Sequence, residues 1–278
     1  MLYSPERLDV ESAEKAVCAW EEDFPRPLVD LSGLRHLDPL GALLLVLEGR
    51  RSQEAGGYLR VLLPRAEEGR NLLARSGIVG FVEGASRSDG PWPQSRENQR
   101  LIEVVEVGEE EGVGRLVEGL TARLLERFPL GESGSRLLAG ALLELLQNIP
   151  QHAGLEGGNA VPCGLGALEE FDDHLHLVVA DKGVGLRGSL STNPRFRGLD
   201  DSQALEAALV QGMSRFDRPG RGGALRRIRE LLLRNAGKLF VRSGAGALWQ
   251  DDVEWVTSAV HPFPGVQVSI RLPRRLFE

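Results

Sequence analysis

Residues 174–185 read "HLHLVVADKGVG". The stretch opens with alternating apolar and polar residues and then turns wholly apolar, the pattern of an inner strand. A carboxylate, Asp181, closes the strand, and Gly183 and Gly185 follow it. Glycine lets a backbone turn sharply and lets a ligand approach the main-chain amides. A glycine turn after a strand also serves as plain structure. A dinucleotide fingerprint needs a helix straight after the turn and an acid some twenty residues on. Here the chain continues "RGSLSTNPRFRG", which reads as no helix opening.

Outward from this strand, "RLIEVVEV" reads as a strand, and residues 112–128 and 132–149 as two helices. A long Gly- and Arg-rich passage runs from Lys182 to Gly223. "ALRRIRELLLRNAG" is a helix ending at Gly237, and "KLFVRSG", "DVEWVTSAV" and "VQVSIRLP" are strands. Helices come first and strands last, which predicts an α/β sandwich rather than a doubly wound sheet. Before it, "GASRSDGPWPQSRENQR" (84–100) has the polar, proline-bearing composition of a loop and divides the chain near residue 90. In the first part "PLVDLSGL" and "YLRVLLP" read as strands. "PLGALLLVLEGRRSQEAG" reads as a helix stopped at Gly56 and Gly57, and "EEGRNLLARSG" as one closed by Gly77. The fold expected is α/β with two domains, residues 1–90 and 98–278.

The composition limits the partners. Of 278 residues, 26% are charged and 42% apolar, the range of a soluble globular chain. The net charge is -7 with both signs mixed along the sequence, which disfavours nucleic acid as a partner. Two cysteines, Cys18 and Cys163, offer neither a metal set nor a disulfide framework, and both read as small buried hydrophobes. The first ten residues carry charges where a signal peptide would have an apolar core, and "GALLLVLEG" is too short to span a bilayer. A cytoplasmic protein with no membrane partner is expected.

Two further stretches carry possible chemistry. In "LLELLQNIPQHAG" (142–154), Glu144, Asn148 and His152 recur every four residues, which sets them along one helix stripe. A solvated helix face gives the same pattern. Pro150 removes an amide donor and disturbs a regular helix there. In "RPGRGGALRRIRELLLRNAG" (218–237), Gly220, Gly222 and Gly223 directly precede a helix, whose free amides and dipole attract phosphate. The Lys and Ser/Thr of a P-loop are missing. "VRSGAGAL" reads as a second glycine turn after a strand.

In this order the elements resemble the ATP-binding domain shared by DNA gyrase B, Hsp90, MutL and histidine kinases (the GHKL family, with its Bergerat-type fold), over about residues 98–278. "ELLQNIPQH" resembles its N box, "DKGVG" its first glycine box and "GRGGAL" its second, with "SGAG" and "VSIRLP" as closing strands. The resemblance implies ATP and Mg²⁺ as cofactors. Asp181 would accept a hydrogen bond from the adenine amino group. Asn148 would hold Mg²⁺ through its amide oxygen, the kind of ligand a hard cation prefers. Glu144 would be the base. Gly183, Gly185, Gly220, Arg221, Gly222 and Gly223 would line the nucleotide. The segment from Arg187 to Gly222, with six arginines, would be a lid over the phosphates. Two positions depart from the pattern. "GRGGAL" replaces Gly-x-Gly-Leu-Gly-Leu, and Val266 follows Gly265 where many members have threonine.

The first part resembles the STAS domain of anti-sigma factor antagonists, over about residues 26–66, on "LVDLSGLRHLDPLGALLLVLEG". Where that family places its phosphoacceptor serine after the aspartate, this chain has Asp38, Pro39, Leu40, Gly41. The domain is therefore expected to act as a fixed docking or dimerisation piece. His36, the one candidate for a histidine-kinase phosphoacceptor, lies in a turn. Two classes of function follow. One is a regulatory protein in which Mg-ATP closes the Arg-rich lid and changes binding of a protein partner or a second copy. The other is a serine/threonine kinase of the anti-sigma factor type, or a weak ATPase.

Overall fold

The computed structural model describes residues 3–96, 102–107, 164–215, 224–251 and 253–274, together with positions 113, 117, 140, 143, 145 and 146. The chain is mixed α/β and divides into two compact units. One is Met1–Val105 with Ala167–Glu170, and the other is Glu106–Gly166 with Phe171–Glu278.

The first unit contains β1 (Arg7–Leu8), α1 (Ala13–Glu21), β2 (Leu28–Asp30), β3 (His36–Leu37) and α2 (Pro39–Glu54). There follow β4 (Leu59–Leu62), α3 (Glu67–Arg75), α4 (Val79–Val82) and β5 (Ser86–Ser88). Strands β2, β4 and β5 form a parallel sheet in that order, and β1 pairs with β3 in parallel. The helix α2 starts as its sequence dictates. Pro39 occupies the first turn, where no amide partner is lost, and the Asp38 side chain accepts the Gly41 N–H. A side chain on Gly41 would collide with the main chain of Leu8, so the helix start lies flush against β1. Every residue from Pro39 to Gly49 is buried, the mark of a helix covered on all sides. Glu48 is among them. Burial pushes its carboxyl up to about 7, against the pull of Arg51, whose Nη1 lies 3.2 Å away.

Two expectations for this unit are corrected, and α1 is an addition to them. The helix α1 was not foreseen. Its buried stripe of Ala13, Ala16, Val17 and Trp20 leaves Cys18 on the opposite, exposed side, so Cys18 is no core residue. Cys163 lies outside the described residues. The segment expected to be loop throughout, 84–100, contributes β5, whose Ser86, Arg87 and Ser88 pair with Leu59, Arg60 and Val61. Main-chain pairing at a sheet edge asks little of the side chains, and three polar residues suffice.

From residue 102 on, the strands β6 (Ile102–Val107), β7 (Gly164–Glu170), β8 (His174–Asp181), β9 (Lys238–Gln250) and β10 (Trp255–Pro273) form a five-stranded sheet of order β6-β7-β8-β10-β9. Strand β10 is antiparallel to both neighbours, pairing through Gln267–Pro273 with β8 and through most of its length with β9. The described helices are α5 (Gly185–Ser191), α6 (Asp201–Leu209) and α7 (Ala224–Arg234). The helices expected over 112–128 and 132–149 fall mostly outside the described residues. The positions described within them are helical, and Val113, Val117, Leu145 and Leu146 are buried.

Here too the structure departs from the sequence reading. The chain does enter a helix after the glycine turn, because Gly185 takes φ +72° and Ser243 Oγ then receives the Leu186 N–H at 2.8 Å. The described part of the Gly- and Arg-rich passage, 182–215, carries two α-helices, Gly185–Ser191 and Asp201–Leu209. Asp200 and Gln203 form a reciprocal capping box at the start of α6, a signal present in "DDSQALEAAL" but passed over among the arginines and glycines. "VRSGAGAL" is no turn. It runs inside β9, with Gly244 at φ +58°. The two strands expected after it, "DVEWVTSAV" and "VQVSIRLP", are one strand, β10, with register shifts between Ala259 and Val266.

Candidate functional site

Strand β8 is buried from Leu175 to Ala180, and its pairing of Ala180 with Gln267 fixes where Asp181 emerges. Oδ1 of Asp181 accepts two main-chain N–H groups, from Gly183 at 2.7 Å and from Val266 at 3.3 Å. Among the described residues none hydrogen-bonds Oδ2. The residue is partly exposed, yet the protein atoms crowded round its carboxyl push the pKa up to about 6, against the lowering effect of the two N–H donors. The result is a carboxylate locked by one oxygen, with the other oriented but unengaged.

Three glycines in the left-handed region bring the surrounding backbone close. A Cβ on Gly265, at φ +79°, would collide with the main chain of Asp181 and lie 2.6 Å from its Oδ1. One on Gly185 would lie 2.9 Å from Ser243 Oγ, and one on Gly244 2.7 Å from Asp201 Oδ2. These positions admit only glycine without a shift of main chain or of a bonded side chain. The Asp201 carboxylate accepts the Ala245 N–H at 2.9 Å, tying α6 to β9. Gln267, fully buried on β10, places Nε2 3.0 Å from the Asp181 carbonyl oxygen and 2.8 Å from that of Pro264.

Of the residues singled out from sequence, the structure brings together Asp181, Gly183 and Gly185. Glu144, Asn148, Gly220, Arg221, Gly222 and Gly223 lie outside the described residues. Among the described residues no group of three or more His, Cys, Asp and Glu side chains could hold a metal. Of the arginines in the segment expected to form a lid, Arg187, Arg195 and Arg197 are exposed, and burial lowers the pKa of Arg215. Val266 lacks a hydroxyl, but its main chain supplies a hydrogen bond to Asp181 instead.

Sequence reasoning missed Ser243, Asp201 and Gln267. Ser243 and Asp201 carry no local signal, since each acts on a main-chain N–H far away in sequence. Gln267 does carry one: a lone amide in "GVQVSI", a strand otherwise apolar enough to be internal. Neither a family model nor a curated protein matches this chain. No described helix is long and apolar enough to cross a membrane.

Proposed function

We propose that the chain is an ATP-binding regulatory protein. Residues 98–278 would be the GHKL-type α/β sandwich and residues 1–90 the STAS-like domain before it. Asp181 carries this reading. An acceptor held at the end of an inner strand, with one oxygen fixed and the other unengaged, suits the exocyclic amino group of adenine. The main chain around it is held close by Gly185 and Gly265, where a side chain would strike Ser243 and Asp181, so the acceptor has a fixed backbone frame.

The regulatory part rests on two further observations. Helices α5 and α6, in the segment assigned to the lid, pack on each other through Leu190, Ala204 and Ala207, with Leu186, Phe196 and Leu199 against them. They therefore form one piece, bonded to β9 through Ser243 and Asp201, on which the rest of the lid segment would hinge. In the first unit Leu40, at the place of the family's phosphoacceptor serine, is fully buried, which supports a fixed platform rather than a phosphorylation switch. Mg²⁺, assigned to Asn148, enters as the companion of the triphosphate, whose charge it neutralises.

Calorimetry with ATP, ADP and GTP in the presence of Mg²⁺ tests the reading. ATP is expected to bind more tightly than GTP, whose base presents a carbonyl where adenine has its amino group. Equal affinity for the two would remove Asp181 as the adenine reader. Incubation with γ-labelled ATP and a STAS-domain partner separates the two classes of function. Label on the partner would move the protein to the serine/threonine kinases.

A further inference from the structure

One buried side chain bonds to the main chain of Asp181 rather than to its carboxylate. Gln267 is fully buried, and its amide nitrogen faces two carbonyl oxygens, those of Asp181 and Pro264. A carboxamide nitrogen has two hydrogens, and these two acceptors take both. They also fix which end of the amide is nitrogen, because an oxygen there would face two oxygens. Oε1 is then left buried with no hydrogen-bond partner among the described residues. An unsatisfied buried acceptor costs about 1–3 kcal/mol. A strand position flanked by Val266 and Val268 would avoid that cost with valine or isoleucine.

The two carbonyls lie on either side of the tightest backbone approach in the site. Gly265, between Pro264 and Val266, presses against the main chain of Asp181, and the next residue, Val266, gives its N–H to the Asp181 carboxylate. Gln267 thus bonds to the end of β8 and to the bend in β10 at once. With that bridge in place the Val266 N–H stays on Oδ1, and Oδ2 keeps its direction. Without it, the carbonyls of Asp181 and Pro264 lose the Gln267 donor and the bend is free to pull away.

We propose that Gln267 is the positioning residue of the Asp181 acceptor, and that it sets how well the site tells adenine from guanine. The inference rests on the reading of Asp181 as the base acceptor.

The test compares Gln267→Leu and Gln267→Met with Asp181→Asn in the full chain, measuring ATP and GTP affinity with Mg²⁺ by calorimetry and folding by thermal melting. Gln267→Met, which keeps the length of the side chain, serves where Gln267→Leu fails to fold. For either variant, ATP affinity is expected to fall about tenfold, the size of one hydrogen-bonding loss. GTP affinity stays within about twofold, so the preference for ATP collapses. In a ¹³C-labelled sample the Asp181 carboxyl should also titrate at a different pH from the parent protein. A role in stability alone predicts otherwise: both nucleotides weaken alike, or neither does, while the melting temperature falls. Either result overturns the proposal. A parent preference for ATP that is lost in Asp181→Asn but kept in both Gln267 variants overturns it too, and leaves the Asp181 reading standing. Should Asp181→Asn leave ATP affinity untouched, that reading fails, and the inference with it.

Discussion

Asp38 and Asp181 each stand where a strand ends, and each receives two main-chain N–H groups. They divide them differently. Asp38 takes the Gly41 N–H on Oδ1 at 2.9 Å and the Val10 N–H on Oδ2 at 3.2 Å, and only 1% of the residue is exposed. Asp181 takes both of its N–H groups on Oδ1, and part of the residue reaches solvent. The first carboxylate joins Val10, just past β1, to the start of α2 and has both oxygens committed to the fold. The second has the same number of main-chain donors, but their placement on one oxygen fixes the group while leaving the other for something outside the fold. A count of these main-chain donors would rank the two aspartates equal. Their distribution over the oxygens separates a structural acid from a candidate binding acid.

The largest effect should come from the structural acid. Asp38→Ala removes the cap of α2 and leaves the Val10 N–H buried without its acceptor. A lost cap costs about 1 kcal/mol and an unpaired buried donor about 1–3 kcal/mol, so the sum is roughly 3 kcal/mol. Urea unfolding should show a lower midpoint, and ATP affinity of the folded variant should match the parent. A loss of ATP affinity at unchanged stability would erase the distinction between the two acids.

Asp181→Asn should show the reverse pattern. The new amide keeps an oxygen for Gly183 and Val266 and puts an NH₂ group where Oδ2 was. ATP then meets a donor in place of an acceptor, with a loss of about 1.5–3 kcal/mol of binding, as for hydrogen bonds to charged groups. The unfolding midpoint at neutral pH should change far less than in Asp38→Ala. Unfolding as severe as that of Asp38→Ala would mark Asp181 as a second structural acid.

The same contrast explains how much of the molecule was legible in the sequence. Asp38 announces itself, because a cap acts on residues a few positions away and "DPLG" holds the acid, the proline and the glycine together. The strand "HLHLVVAD" and the glycines after it were legible for the same reason. The partners of Asp181 were not. Val266 lies 85 residues on, and Gln267 reaches back across the sheet through a register that only pairing of β8 with β10 sets. The helices between Gly185 and Leu209 were hidden differently. Glycines and arginines masked a capping box whose two residues stand three apart. The continuity of β9 through Gly244 depends on Asp201, on another element, accepting the Ala245 N–H, so the glycine looked like a turn.

The smallest effect, and the most specific, is on pH. Desolvation pushes the Asp181 carboxyl up to about 6 from its ordinary 3.8. A ligand amino group needs an acceptor, so it binds the ionised form and holds it. As pH falls through about 6 the free protein protonates, and ATP must displace that proton to bind. Affinity should therefore drop by about tenfold between pH 7.5 and pH 5, following the protonated fraction of a group titrating near 6. The triphosphate titrates in the same range, so the measurement is the ratio of parent to Asp181→Asn at each pH, from which the ligand's own protons cancel. That ratio should be steepest near pH 6 and level above 7. Stability runs the other way. A carboxyl whose folded pKa lies above its unfolded value contributes stability below the unfolded value and loses it as pH rises through the folded one. Parent protein without nucleotide should thus lose stability between about pH 4 and pH 6 relative to Asp181→Asn, over the same interval in which its affinity for ATP rises. Opposite slopes for binding and stability, each measured relative to the asparagine variant, are what a desolvated, unengaged acceptor produces. A flat affinity ratio across pH 5 to 7.5 would mean that Oδ2 faces no ligand donor, and Asp181 would join Asp38 as part of the scaffold.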